Sequence, residues 1–141
     1  MGADWVLDAS VLAKCLFTEA DSVSARAVVA RAERLIAPDY LFIELSSIAA
    51  KKIRRDGVTD AYAAEAIRRA RPVLDELAPA GPMAAKALEL AIEHGVSVYD
   101  ALYLALAMLR ESVVLTADIR LVEACKRAGL SRFALRLDEA G

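Results

Sequence analysis

A chain of 141 residues that is 57% hydrophobic, 27% charged and 6% aromatic lies outside the disordered range and can bury a core without disulfides or a structural metal. Its formal net charge of −2 excludes a polyanion-binding surface spread over the whole molecule, so any contact with nucleic acid must come from local patches. With no internal repeat, linker or low-complexity tract, residues 1–141 are expected to form one domain.

In chain order, Trp5 to Leu7 is an apolar run ending in Asp8, and Ser10 is expected to cap a helix with Val11, Leu12, Cys15 and Leu16 on one side. A second helix is predicted from about Ser22 to Arg34, then a short strand over Leu35 to Ala37. Pro38-Asp39 should open a helix to Arg55, stopped by Gly57. Another helix follows from Thr59 to near Pro72. Leu77 to Ala80 reads as a short strand, and Pro82 starts a helix ending at His94-Gly95, where His94 reads as a helix-end residue. Ser97 precedes the apolar helix containing Asp100 to Arg110, and Val113 to Leu115 is a buried-type strand. Thr116-Ala117-Asp118 leads into a helix stopped at Gly129, and Phe133 to Leu137 alternates as a last strand. Strands separated by helices predict an α/β fold with a short parallel sheet covered on both faces.

The longest nearly uncharged stretch, Val96 to Leu109, is interrupted by Asp100 and falls short of the roughly 20 apolar residues that a bilayer crossing needs. The start lacks the features of a secretory signal and the end carries no lipidation motif, so a cytoplasmic location is expected. Cys15 and Cys125 have no metal-ligand spacing and read as reduced core residues. A mean hydropathy of +0.37 is high for a chain of this size, and Ala25 to Ala32 and Ala84 to Ile92 carry more apolar positions than one core-facing stripe requires. Surplus apolar surface of that kind marks an interface.

The acids are informative by position. Asp8 and Asp118 each follow a predicted strand and precede a helix, at the sheet edge where open α/β folds place their ligand crevice. Asp100 is the one charged residue between Val96 and Leu109, on a helix apolar nearly all round, so its carboxylate needs a partner. Glu44 lies at the margin of the apolar arc that runs through Leu41, Leu45 and Ile48, and can look into the crevice from the side. Crowded carboxylates repel unless a cation compensates them, and hard oxygen ligands select Mg²⁺ or Mn²⁺ over zinc. Such ions activate water and stabilise charge developing on a phosphodiester, which makes hydrolytic nuclease chemistry the natural use. Each acid also has a structural reading. Asp8 can begin a turn, Asp118 can cap a helix, Ser97-x-x-Asp100 matches a capping box, and Glu44 can be a solvated helix residue.

Two basic clusters stand out. Lys51, Lys52, Arg54 and Arg55 are candidate RNA-binding residues, although cations also suit the C-terminus of a helix; Arg68, Arg69 and Arg71 can pair with Glu65. Tyr99 and Tyr103 flank Asp100, where aromatic packing competes with a role at substrate.

V-L-D-A-S-V (Val6 to Val11), A-P-D-Y-L-F-I-E-L (Ala37 to Leu45), V-S-V-Y-D-A-L-Y-L-A-L-A (Val96 to Ala107) and L-T-A-D-I-R-L (Leu115 to Leu121) resemble, in order and spacing, the motifs of PIN-domain nucleases, and most closely those of VapC-type toxins. The resemblance implies a central parallel sheet with flanking helices, a Mg²⁺ or Mn²⁺ site and endoribonuclease activity. It also implies inhibition by a cognate antitoxin and a homodimer. Carried over by motif, Asp8, Glu44, Asp100 and Asp118 become the catalytic and metal-binding quartet, and Ser10 and Thr116 become hydroxyls that orient ligands or water. Where some family members have a further acid or amide after the last Asp, this chain has Ile119 and Arg120. Two other readings stay open beside this one. A catalytically weak interaction or RNA-binding module would be favoured by an eroded acid set, whereas here the set is complete. A dehalogenase-like phosphotransferase needs D-x-D after the first strand, where this chain has Asp8-Ala9-Ser10.

Overall fold

The computed structural model describes residues 3–141. Five strands form one parallel sheet: β1 (Ala3–Leu7), β2 (Ala32–Pro38), β3 (Glu76–Ala78), β4 (Val113–Thr116) and β5 (Ala134–Arg136), in the order β3-β2-β1-β4-β5. Seven α-helices connect them: α1 (Ala9–Leu16), α2 (Ser22–Ala30), α3 (Leu41–Asp56), α4 (Asp60–Ala70), α5 (Ala84–His94), α6 (Val98–Leu109) and α7 (Ile119–Ala128).

Strand alternation sorts the core into two halves. Trp5, Leu7, Leu35, Ala37 and Leu115 face one way and pack with buried residues of α1 to α4, such as Leu12, Leu41, Leu45 and Ala66. Val6, Ile36 and Val114 face the other way, onto residues of α5, α6 and α7 that include Leu90, Leu104 and Leu121. Neighbouring residues of each central strand thus belong to opposite cores, as the two-residue period of a strand dictates. The sheet is covered on both faces, as expected for an all-parallel arrangement.

Helix α6 is the least polar of the helices. Ala101 through Ala107 are all buried, and the alternating alanines let it lie close against both α5 and the sheet. Burying each of Leu102, Leu104 and Leu106 contributes about 1.5–3 kcal/mol. No described helix is long and apolar enough to cross a membrane.

Several expected boundaries shift. The helix anticipated from Ser22 to Arg34 ends at Ala30, because Ala32 and Arg34 pair with β1 and extend β2 backwards; strand pairing overrides the helix propensity of Ala, Glu and Arg. Pro38 closes β2, and α3 begins at Leu41. Pro82 lies in a short 3₁₀ turn before α5. Ser10 sits inside α1, whose N-cap residue is Asp8. The stops at Gly57, Gly95 and Gly129 fall where expected; Gly57 adopts φ 71° and closes α3 in the left-handed conformation that costs glycine least. His94 is the last residue of α5. Neither Cys15 nor Cys125 is in a disulfide; Cys125 is buried in the core and Cys15 is half-buried beside it.

Candidate active site

The sheet order fixes where a crevice opens. From β1 the chain winds outward through β2 and β3, then returns to add β4 and β5 on the opposite side of β1, so the direction of winding reverses between β1 and β4. Ligands of open α/β sheets bind beyond the strand ends at such a reversal. Asp8 directly follows β1. Leu7 pairs with Leu115, and the Asp8 amide donates to the Leu115 carbonyl at 3.1 Å, which sets Asp8 level with Thr116 at the end of β4.

Two hydroxyls bind the two strand ends together. Thr116 Oγ1 donates to Asp8 Oδ2 at 2.6 Å, and Ser10 Oγ donates to the same oxygen at 2.8 Å. Thr116 Oγ1 accepts from the Asp118 amide at 3.0 Å, and Ser10 Oγ accepts from the Ala117 amide, also at 3.0 Å. Each hydroxyl thus spends its one proton on the carboxylate and uses a lone pair to hold the backbone leading to Asp118. Ser10 and Thr116 both hold the Asp8 carboxylate from the same side.

All four acids of the predicted quartet lie within electrostatic reach of the cluster. Asp8 is buried, and that burial raises its pKa; the Thr116 and Ser10 hydroxyls oppose the rise, and the charge of Asp118 adds to it. Burial also raises Asp100, with further contributions from Asp8 and Asp118, against smaller effects of Ser97 and Arg120. Glu44 is pushed up to about 7, chiefly by burial and then by the charges of Asp8 and Asp100, while Tyr103 pulls it down. The Glu44 Oε1 atom is buried and has no hydrogen-bond partner among the described residues. The fourth acid, Asp118, stands at the rim, where its Oδ1 accepts from the Arg120 amide at 2.9 Å.

Asp8 occupies an N-cap position, yet its side chain makes no cap hydrogen bond; it turns to the two hydroxyls instead. Asp118 does cap α7. The capping box at Ser97 is half made: Ser97 Oγ accepts from the Asp100 amide at 3.0 Å, and among the described residues no return bond to the Asp100 carboxylate is present. Glu44 is partly buried and looks toward the other acids.

All four acids sit in the first turn or at the cap of a helix: α1 for Asp8, α3 for Glu44, α6 for Asp100 and α7 for Asp118. Helix N-termini carry partial positive charge and soften the repulsion among acids without cancelling it. Among the described residues no Lys or Arg forms an ion pair with Asp8, Glu44 or Asp100, and Arg120 Nε stands 3.8 Å from Asp118 Oδ1 with its side chain largely in solvent. Among the same residues, no three His, Cys, Asp or Glu side chains stand close enough to share one ion, so the acids form an open set and not a closed coordination shell. A buried Asp8, an orphaned Glu44 oxygen and a donor set made wholly of oxygen are suited to a hard divalent cation.

The basic residues divide. Lys51 lines a groove with Tyr40, Ile43, Glu44, Ser47 and Tyr99, where the Tyr40 and Tyr99 rings stack with centroids 5.1 Å apart. Lys52 turns away from it, pairing with Glu19 at 3.2 Å and lying over the Phe17 ring. Arg54 and Arg55 are exposed in the last turn of α3, and Arg68 bonds Glu65 on its own helix.

One residue gains weight from the structure. Tyr103 is completely buried beneath the acids, and burial together with Asp8 and Glu44 raises its pKa, so it stays protonated. Among the described residues its hydroxyl has no hydrogen-bond partner. The signal in the sequence was its i+3 spacing from Asp100, which places both on one helix face.

Comparison with known families matches residues 5–127 to the model of the PIN domain. Among solved structures, the crystal structure of PAE2754 from Pyrobaculum aerophilum is similar, with a TM-score of 0.73 and 21% identity, covering 98% of this chain and 93% of that one. At that identity the likeness concerns the fold. No curated protein matches the chain.

Proposed function

The chain belongs to the PIN-domain family, whose members are usually metal-dependent nucleases, and from that premise we propose that it is a Mg²⁺- or Mn²⁺-dependent endoribonuclease, a single PIN-like domain acting as the toxin of a toxin-antitoxin pair. Asp8, Glu44, Asp100 and Asp118 are the residues that would hold the cation. The observation that carries this reading is the electrostatic one. Three buried or half-buried acids with raised pKa values meet a fourth at the β1–β4 reversal, without a basic partner for the inner three among the described residues.

When bound, the cation would supply Lewis acidity, making water a better nucleophile at neutral pH and neutralising charge that develops on the phosphodiester. The protein's own groups do the rest. Ser10 and Thr116 fix one face of Asp8, leaving its other oxygen, Oδ1, for the site. Arg120 at the rim and Lys51 in the groove beside Glu44 supply positive charge along the path of an RNA backbone. In the reaction, water adds to phosphorus, the bond to the leaving oxygen breaks, and that oxygen takes up a proton.

The toxin reading rests on the likeness of the Val6, Ala37, Val96 and Leu115 motifs to VapC-type chains, and on apolar surface that the fold leaves uncovered. Leu88 and Ile92 on α5, Ile43 on α3, and Val98 and Tyr99 on α6 are exposed. Part of this surface would make a homodimer and part a groove for an amphipathic antitoxin helix, whose Arg or Lys reaches the acids in place of the cation. A second reading, a PIN-fold module that binds RNA or a partner without cleaving, is favoured by the open arrangement of the acids.

One experiment separates the two. Pure protein is incubated with total cellular RNA in Mg²⁺, Mn²⁺ or EDTA, and new ends are mapped by sequencing. We expect discrete cuts that vanish in EDTA, and a drop of about a hundredfold or more for a folded Asp100→Asn variant, which loses one charge from the site. Undiminished cleavage in EDTA would sink the metal mechanism, and absence of cleavage in every metal would favour the binding module. For the toxin role, expression alone should arrest growth, and co-expression with a neighbouring antitoxin gene should relieve it.

A further inference from the structure

Among the described residues, two buried side-chain polar atoms lack a hydrogen-bond partner, Glu44 Oε1 and the Tyr103 hydroxyl, and both belong to the acidic cluster. Buried polar groups are nearly always satisfied, so two orphans at one place call for a cause. Tyr103 has no packing need for its oxygen: phenylalanine would fill the same space within α6 and spare a buried hydroxyl its desolvation. The hydroxyl stands beside the carboxylate, near enough for a hydrogen-bonding influence of each on the other's acidity, yet the two oxygens do not meet the distance and angles of a formed bond, so the contact is incomplete without the cation.

We propose that Tyr103 is a positioning residue for Glu44: in the cation-loaded site its hydroxyl donates to Glu44 Oε1 and so sets the direction in which the Glu44 carboxylate faces. The inference rests on the divalent-cation reading given above. Asp8 is oriented from one side by Ser10 and Thr116, and Tyr103 gives Glu44 the equivalent support from beneath the cluster. Groups that orient ligands in this way typically change metal affinity by about 10- to 100-fold when removed.

The test uses the whole protein with Mn²⁺, whose free ion is counted by electron paramagnetic resonance, and a thermal midpoint measured in EDTA. Tyr103→Phe should melt at or above the wild-type temperature in EDTA, because an unsatisfied hydroxyl is gone and the ring remains. The same variant should bind Mn²⁺ about 10- to 100-fold more weakly. Added to Glu44→Ala, it should weaken binding no further, since with the carboxylate gone the hydroxyl has nothing to position. An unchanged Mn²⁺ dissociation constant would overturn the proposal and leave Tyr103 as a packing residue. An equal loss in the Glu44→Ala background would overturn it by showing that the hydroxyl acts elsewhere. A lower midpoint in EDTA would do so too, because the hydroxyl would already be bonded in the metal-free protein. If the wild-type protein takes up no Mn²⁺, the divalent-cation reading falls, and this one with it.

Discussion

Burial governs the charge of the inner acids, and through it the pH response of the whole protein. Glu44 has its pKa pushed up to about 7, and Asp8 and Asp100 are raised in the same direction. A carboxyl group whose pKa is higher folded than unfolded binds more protons in the native state across the interval between the two values. Its contribution to stability is therefore present at low pH and is lost as pH rises through that interval. For Glu44 the window runs from its unfolded value, about 4.3, to about 7. In EDTA the thermal midpoint should fall between about pH 5 and about pH 7. Mn²⁺ should recover more stability at the alkaline end, because only ionised acids bind it. A midpoint in EDTA that rises or stays flat over that range would contradict the electrostatic account of the cluster.

At the scale of elements, the decisive joint is the one between the ends of β1 and β4. Thr116 is fully buried there, donating to Asp8 and accepting from the Asp118 amide, so one hydroxyl couples two acids that lie on different strands. Thr116→Val keeps the branched shape but removes both bonds. It should cost about 1–3 kcal/mol in denaturant unfolding, with Mn²⁺ affinity also reduced. A valine variant as stable as the wild type, with the same Mn²⁺ affinity, would mean that the sheet alone holds the two strand ends. Helix α6 shows the opposite economy: its apolar surface anchors it on nearly every side, and its first turn is left free to present Asp100.

At the scale of the molecule, the open question is what covers the exposed apolar residues. Ile92 is 76% exposed on α5 and Leu88, one turn earlier, is 53% exposed, although Ala87 and Leu90 on the same helix are buried. A second copy of the chain would bury such a face symmetrically, as most homodimers do. Sedimentation of the purified protein should give a dimer, and Ile92→Lys should move it to the monomer while its thermal midpoint in EDTA shifts little. A wild-type monomer at micromolar concentration, or a dimer indifferent to Ile92→Lys, would remove α5 from consideration as the interface.

Much of this was legible in the sequence because local rules carried it. The glycine stops at Gly57, Gly95 and Gly129 depend on backbone conformation alone, and the buried character of α6 follows from a helix with one charged residue. The positions of Asp8 and Asp118 at strand ends followed from strand-to-helix transitions. The end of α2 was not legible, because Ala32 and Arg34 became strand only through pairing with β1. Nor could the sequence decide between the two readings of Ser10, helix cap or orienting hydroxyl; its hydroxyl serves Asp8 and the Ala117 amide across 107 residues of chain in place of capping its own helix. Hydropathy and turn chemistry thus determined which residues are buried, which elements form and which acids stand at their ends. Only the tertiary structure decided that β4 lies beside β1, because parallel partners are chosen by long-range packing on both faces of the sheet. That choice gathers four distant acids and leaves Tyr103 and Glu44 with unpaired oxygens in the same place.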